Sequence, residues 1–280
     1  MKVGLVLEGG AMRGLYAAGV LDVFLDNHIK VDGIIGVSAG VLFGVNYASH
    51  QRGRSIRYNK KYVKDKRYMG LHSLMTTGNI INKDFAYYEL PTKLDIFDEQ
   101  AFEKSNIDFW ATVTNIETGK PEYIKLENVI EQMEVLRATS AMPFVSKIVS
   151  FNGKKYLDGG IADSIPIEKC QELGFDKIIA ILTRPLGYTK KKANLSILRK
   201  KYKEYPNLIE AIENRYLNYN SSLKTVLDLE KKKEIFVIRP SRTIKIKRIE
   251  KNEEKLQEMY DLGLEDSKAC MQELADYLKK

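Results

Sequence analysis

Two short apolar runs near the N-terminus, KVGLVL at 2–7 and GIIGV at 33–37, each lead into a turn and then into a helical pattern. After the first run come Gly9, Gly10 and Gly14, and then Leu15, Ala18, Leu21, Phe24 and Leu25 recur at the spacing of one helix face. The second run passes straight into Ser38, with a helix expected over 40–50. Strand, glycine turn, helix, strand, serine turn, helix is a βαβα beginning. Such a beginning implies a mostly parallel sheet with helices packed on both faces, an α/β fold. With 280 residues, 44% of them hydrophobic, the chain can bury a core for one large domain or for one domain plus an accessory segment.

Further along, residues 108–126 alternate apolar and polar side chains around Thr118-Gly119-Lys120-Pro121, which predicts a hairpin or strand pair. ENVIEQMEVLRATSAMP (127–143) reads as a helix stopped near Pro143, and KIIAIL (177–182) as a buried strand. Apolar periodicity is lost across RPLGYTKKKANL (184–195). That change sets the expected organisation: a main domain over 1–183 and a mainly helical accessory region over 184–280. Within the latter we expect helix over about 194–233, a strand at EIFVIRP (234–240) and a final amphipathic helix over about 251–278. Its stripe of Leu256, Met259, Tyr260, Leu264, Met271, Leu274 and Leu278 is expected to dock on the protein's own core. The tyrosines between 199 and 220 are expected to pack between this region and the main domain.

The formal charge is +8, much of it in late clusters: Lys190–Lys192, Arg199–Lys201, Lys231–Lys233 and Lys245, Lys247, Arg248. Such clusters attract acidic head groups and are the ground for expecting peripheral contact with an acidic membrane surface. As charge runs they read first as solvated faces, and no zinc-finger or RNP-type pattern accompanies them, so no nucleic-acid partner is expected. Cys170 and Cys270 stand apart from each other and from histidine, offering neither a disulfide framework nor a zinc signature. The N-terminal apolar run breaks at Glu8, and the longest one, Ile34–Val45, is interrupted by three glycines and a serine. These features predict a cytoplasmic protein without metal or cofactor.

The chemistry centres on GVSAG, Gly36 to Gly40. A serine between glycines at a strand-to-helix turn is a nucleophile elbow. Gly36 and Gly40 allow the tight turn, Ser38 presents its hydroxyl at a helix N-terminus, and the Ala39 N–H is aimed to stabilise an oxyanion. The usual partner of such a serine is a histidine downstream. Here the only histidines are His28, His50 and His72, all placed for structural or surface roles. The other candidate base is Asp158 in KKYLDGGIADSIP. An aspartate before Gly159 and Gly160 reads by itself as a turn. Beside Ser38 it gains meaning, because a carboxylate in contact with a hydroxyl can take its proton directly. The third element is the loop Glu8–Gly14, EGGAMRG. It lacks the full Gly-X-Gly-X-X-Gly fingerprint, with Ala11 where the second glycine should be, and has no P-loop ending. Consecutive backbone N–H groups of Gly10 and Ala11 suit an oxyanion hole. Arg13 could hold the loop or meet a phosphate.

Taken together, the loop with Gly9, Arg13 and Gly14, the elbow at Ser38, the block ATSAMPFV with Pro143, and Asp158-Gly159-Gly160 resemble the patatin-like phospholipases over about residues 1–183. The resemblance implies a three-layer α/β/α fold and a serine acyl hydrolase with Ser38 as nucleophile and Asp158 as base. Gly10 and Ala11 would be oxyanion donors, and a lipid or other acyl ester the substrate. Two departures stand out: Ala11 replaces a glycine common in the loop, tolerable if φ there is not positive, and Ser164 stands where asparagine is frequent. The region after about 190 looks like the accessory part of a bacterial subgroup. Two rival readings carry their own sequence support: a non-catalytic lipid or membrane-surface binder, from the basic clusters, and a nucleotide-binding α/β protein, with Asp32 as a ribose contact.

Overall fold

The two N-terminal apolar runs become β1 (Val3–Leu7) and β2 (Gly33–Val37), and every residue of both is buried. Burial on both faces is why these strands read as continuous apolar runs rather than alternating ones. The computed structural model describes residues 1–194 and 196–279. α1 (Leu15–Asp26) joins β1 to β2, and α2 (Ala39–Ala48) leaves β2. α3 (Arg54–Tyr62), α4 (Leu71–Thr77), a π-helical segment over Asp84–Leu94 and α5 (Glu99–Lys104) follow. β3 (Asp108–Asn115) and β4 (Pro121–Leu126) form the expected antiparallel pair. Then come α6 (Met133–Thr139), β5 (Val149–Phe151), β6 (Lys154–Asp158), α7 (Ile167–Glu172) and β7 (Lys177–Ile181). α8 (Ser196–Lys201), α9 (Pro206–Lys231), β8 (Ile235–Ile238) and α10 (Glu253–Lys279) complete the chain.

The strands make one mixed sheet in the order β5-β6-β3-β2-β1-β7-β8, with β4 also on β3. The centre, β3-β2-β1-β7-β8, is parallel throughout, and the β5–β6 hairpin joins it antiparallel through β3. β1 therefore has β2 on one side and β7 on the other. The loops that follow all three gather at one end of the sheet, where open α/β sheets form their binding crevice.

Three local details differ from the sequence reading. The helix expected over 127–143 shrinks to α6. Gln132 Oε1 accepts the N–H groups of Glu127 and Asn128, and the Glu99 carboxylate accepts those of Val129 and Ile130, so this stretch satisfies its backbone without helical turns. The helical region expected over 194–233 is divided at Pro206, which opens α9 at a position where the missing N–H costs nothing. The late strand does not stand apart: β8 pairs in parallel with β7 and extends the main sheet.

α10 lies across α1. Leu256, Met259, Tyr260 and Leu274 are buried there, and Leu264, Met271 and Leu278 pack against the same core. The helices touch backbone to backbone, since a β-carbon on Gly263 would fall 2.1 Å from the Tyr16 carbonyl oxygen, and one on Gly19 would fall 2.2 Å from that of Tyr260. Two glycines, one per helix, permit this crossing.

Candidate active site

Ser38 ends β2 in a conformation that side chains rarely adopt, φ 54° and ψ −121°. Strain of this kind costs on the order of 1–3 kcal/mol and persists only where neighbours hold it. Here the holder is Thr139, at the end of α6. Its hydroxyl accepts the Ser38 N–H at 2.8 Å and donates to the Thr112 carbonyl of β3 at 2.6 Å. Gly40 lets α2 approach β1 closely, because a β-carbon there would sit 2.6 Å from the Leu7 carbonyl oxygen. Gly36, in β2, lies against the Val41 backbone, and Gly14 against Ala39, so the elbow and the first glycine loop are packed onto one another.

Asp158 ends β6, opposite Val113 of β3. Its Oδ2 accepts the Ser38 hydroxyl at 2.8 Å, and its Oδ1 accepts the Gly160 N–H at 2.8 Å. The following turn is fixed from three directions: Thr114 Oγ1 donates to the Asp158 carbonyl, Ser164 Oγ to that of Gly160, and the Asp158 N–H to that of Ala141. Ser164 thus supplies a supporting contact to the aspartate loop. Burial raises the Asp158 carboxyl above its ordinary range; the nearby Arg215 guanidinium, the Ser38 hydroxyl and the Gly160 N–H pull the other way. Ser38 and Asp158, 120 positions apart, are each 7% exposed, shielded from bulk water but open to one cavity.

The glycine loop lies over the elbow. A β-carbon on Gly9 would stand 3.1 Å from the Val37 carbonyl oxygen and 3.3 Å from the Ser38 β-carbon. Ala11 and Ala39 begin a 3₁₀ turn and α2 respectively, so their N–H groups have no acceptor within those elements. Ala11 has φ 49°, in the left-handed region. The condition under which alanine replaces glycine here without strain is therefore not met, and the loop carries a β-carbon where glycine would be relaxed.

A chamber of about 780 Å³ opens above the pair. Its walls hold Glu8, the glycine loop with Arg13, Pro143 and Phe144, and, from the later part of the chain, Arg184, Lys190, Arg215, Tyr219 and Arg248. A second, small recess of about 50 Å³ shares Ala11, Ser38, Met142, Arg248 and Ile249 with the chamber and is otherwise lined mainly by apolar side chains, Leu42, Phe43, Met69 and Ile81 among them. Through Leu42, Tyr58, Tyr68 and Ile81 it adjoins another small recess. Ser38 sits where the recess meets the chamber, whose wall mixes charged side chains with apolar ones such as Met142, Phe144, Val145 and Ile212.

The three histidines are exposed, and none lines the chamber. Asp32 accepts the Val3 N–H at 2.7 Å and is engaged in fastening the start of β1, leaving the nucleotide reading without its ribose contact. Lys190 departs from the solvated-face reading of its cluster: it is partly buried in the chamber wall. Several participants escaped sequence reading. Glu8, 2% exposed, accepts the Thr183 N–H and the Tyr219 hydroxyl, tying the ends of β1 and β7 to α9. Thr139 and Arg215 gave weak signals. Arg215 stands on the stripe Leu208, Ile212, Tyr219 of α9, a cation in line with a buried face.

A family model described as "Patatin-like phospholipase" matches residues 5–170, and a domain of unknown function, DUF6363, matches 205–279. The uncharacterized protein YjjU of Escherichia coli is 29% identical over 194 residues, covering 66% of this chain and 52% of that protein. Lysophospholipase nte1 of Aspergillus fumigatus is 28% identical over 193 residues, 64% of this chain but 12% of the relative. The probable lipid hydrolase 463L of Invertebrate iridescent virus 6 is 25% identical, over 64% of this chain and 69% of that one. The chain thus spans about half the length of the first of these relatives and a small part of the second. Among solved structures, VipD from Legionella pneumophila aligns over 99% of this chain and 67% of its own, with a TM-score of 0.46 and 14% identity.

Proposed function

The chain belongs to the patatin-like phospholipase family, and from that premise we propose that it is a lipid acyl hydrolase working through a Ser38–Asp158 dyad. The observation that carries the reading is the 2.8 Å hydrogen bond from the Ser38 hydroxyl to the buried Asp158 carboxylate. Ser38 Oγ attacks the acyl carbonyl as its proton passes to Asp158. The carbonyl oxygen becomes an oxyanion beside the N–H groups of Gly10, Ala11 and Ala39. Collapse expels the alcohol, which takes the proton from Asp158 and leaves an acyl-serine. Water then gives a proton to Asp158 and its oxygen to the acyl carbon, and a second collapse returns the proton to Ser38 and frees the fatty acid. A buried carboxylate with a raised proton affinity is a better acceptor for this task than an exposed one.

The chamber beside Ser38 supports the choice of an amphiphilic ester, because its wall carries apolar side chains such as Met142, Phe144, Val145 and Ile212 together with the cations. Residues 1–183 are read as the hydrolase domain and 184–280 as an accessory region that closes the chamber. Among the described residues no helix is long and apolar enough to cross a membrane, so a lipid would be met at a surface or as a dispersed molecule.

Labelling with a fluorophosphonate probe tests the first step, and mass spectrometry of fatty acid released from lysophospholipid tests turnover. Both are expected for the native chain and lost in Ser38→Ala, with Asp158→Asn slowing labelling by about 10²–10⁴-fold. A probe adduct elsewhere than Ser38, or release that survives Ser38→Ala, refutes the reading.

A further inference from the structure

Among the described residues, the chamber beside Ser38 is lined by six cations, Arg13, Arg184, Lys190, Lys191, Arg215 and Arg248, and by two carboxylates, Glu8 and Asp158. Both carboxylates are committed. Glu8 accepts from Thr183 and Tyr219, and Asp158 from Ser38 and Gly160. Among the described residues, none of the six cations has a carboxylate oxygen within 4.0 Å. The Nε atoms of Arg13, Arg184 and Arg215 are buried with no hydrogen-bond partner. Unpaired buried guanidinium donors are costly, and a cluster of them facing one cavity is poorly explained by folding alone.

The cations also act on one another. Lys190 is pushed down to about 7, first by burial and then by Arg215, with Arg13 and Arg248 adding to the effect. Arg13 is lowered by burial and by Arg184, and Arg215 by burial and by Arg248. The position of Lys190 is nevertheless built into the fold. Asn220 of α9 accepts its N–H at 2.8 Å and donates to its carbonyl at 3.0 Å. Two chamber rings are already covered by cations, with Arg184 4.4 Å from the centroid of Tyr188 and Lys190 4.2 Å from that of Tyr219. A quaternary ammonium head group would find those rings occupied and the surrounding field repulsive.

We propose that the chamber selects a lipid whose polar end is a phosphate monoester, bound by Arg13, Arg184, Lys190, Arg215 and Arg248. A dianionic phosphate offers oxygens to several guanidinium forks at once and offsets the mutual repulsion of the cations. Arg215 and Arg248 come from the stretch that matches the domain of unknown function, so head-group selection is the role assigned to that region. The identity of the bound lipid as a substrate rests on the hydrolase reading; the binding itself does not.

The test uses ligands without an ester, so it is independent of turnover. Calorimetry on the full chain carrying Ser38→Ala compares decyl phosphate, decylphosphocholine and inorganic phosphate, each below its micelle concentration. Decyl phosphate is expected to bind at least tenfold tighter than either of the others. The double variant Arg184→Gln/Arg248→Gln is expected to bring decyl phosphate and decylphosphocholine to within about twofold. Equal affinity for those two ligands in the parent chain overturns the anion site, and equal affinity for decyl phosphate and inorganic phosphate overturns the lipid as its source. If decyl phosphate is preferred while Ser38 of the native chain takes no fluorophosphonate, the hydrolase reading fails and the head-group site stands.

Discussion

Replacing Thr139 with valine removes one hydroxyl from beneath the nucleophile while keeping the shape of the side chain. Thr139 is fully buried, and its hydroxyl links the Ser38 N–H to the Thr112 carbonyl through bonds of 2.8 and 2.6 Å. Without it, a buried N–H loses its acceptor and the carbonyl loses a donor. A hydrogen bond contributes about 1 kcal/mol net, and a buried group left unpaired costs about 1–3 kcal/mol, so the expected loss is about 2–4 kcal/mol. At about 2 °C per kcal/mol for a chain of this size, thermal unfolding should move down by about 4–8 °C. The same bond anchors Ser38 at φ 54°. Partial relaxation of that strain would turn Oγ away from Asp158, and a loss of 1.4–2.8 kcal/mol in the transition state corresponds to about 10–100-fold in kcat, with KM within about twofold. Thr139→Ser retains the hydroxyl and should recover most of the activity. Thermal unfolding and steady-state ester hydrolysis, run in parallel, separate the two effects. A Thr139→Val protein with unchanged melting and kcat within twofold of the parent would show that something other than this bond holds the elbow.

Asp158→Asn should slow hydrolysis by the same factor of about 10²–10⁴ yet raise the melting temperature at neutral pH. Because burial lifts the folded-state pKa above the unfolded value, the ionised carboxylate destabilises the fold once pH exceeds both; the advantage of asparagine should shrink as pH falls through the raised pKa and vanish below the ordinary carboxylate range. For the same reason the acid limb of kcat/KM should lie above that range, and a melting difference independent of pH would contradict the assignment. At the crossing of α1 and α10, Gly263→Val places a branched side chain where even a β-carbon would be 2.1 Å from the Tyr16 carbonyl oxygen. A cost of about 3 kcal/mol is expected, read as a melting point about 6 °C lower, and unchanged melting would mean that the two helices are not in backbone contact.

Much of this protein was legible because its signals are local. Continuous apolar runs marked β1, β2 and β7, and glycines flanking Ser38 and following Asp158 marked turns whose backbone shape depends on a few neighbouring residues. The 3.6-residue period of the last helix located its buried face. The shortened α6 escaped because side chains from elsewhere, Glu99 among them, took the N–H groups that a helix would have used. The membership of β8 in the main sheet escaped because four apolar residues do not say which edge they will join.

For the same reason the residues alone determined a sharp serine turn, a carboxylate turn and a glycine loop, each a short-range arrangement of backbone. Only the tertiary structure decided that the serine and the aspartate, 120 positions apart, share a hydrogen bond. It alone decided that Thr139 anchors the turn and that arginines from the first loop, the segment after β7, α9 and the segment before α10 face one chamber. Convergence of that kind is set by how helices pack on a twisted sheet, and no window of sequence contains it.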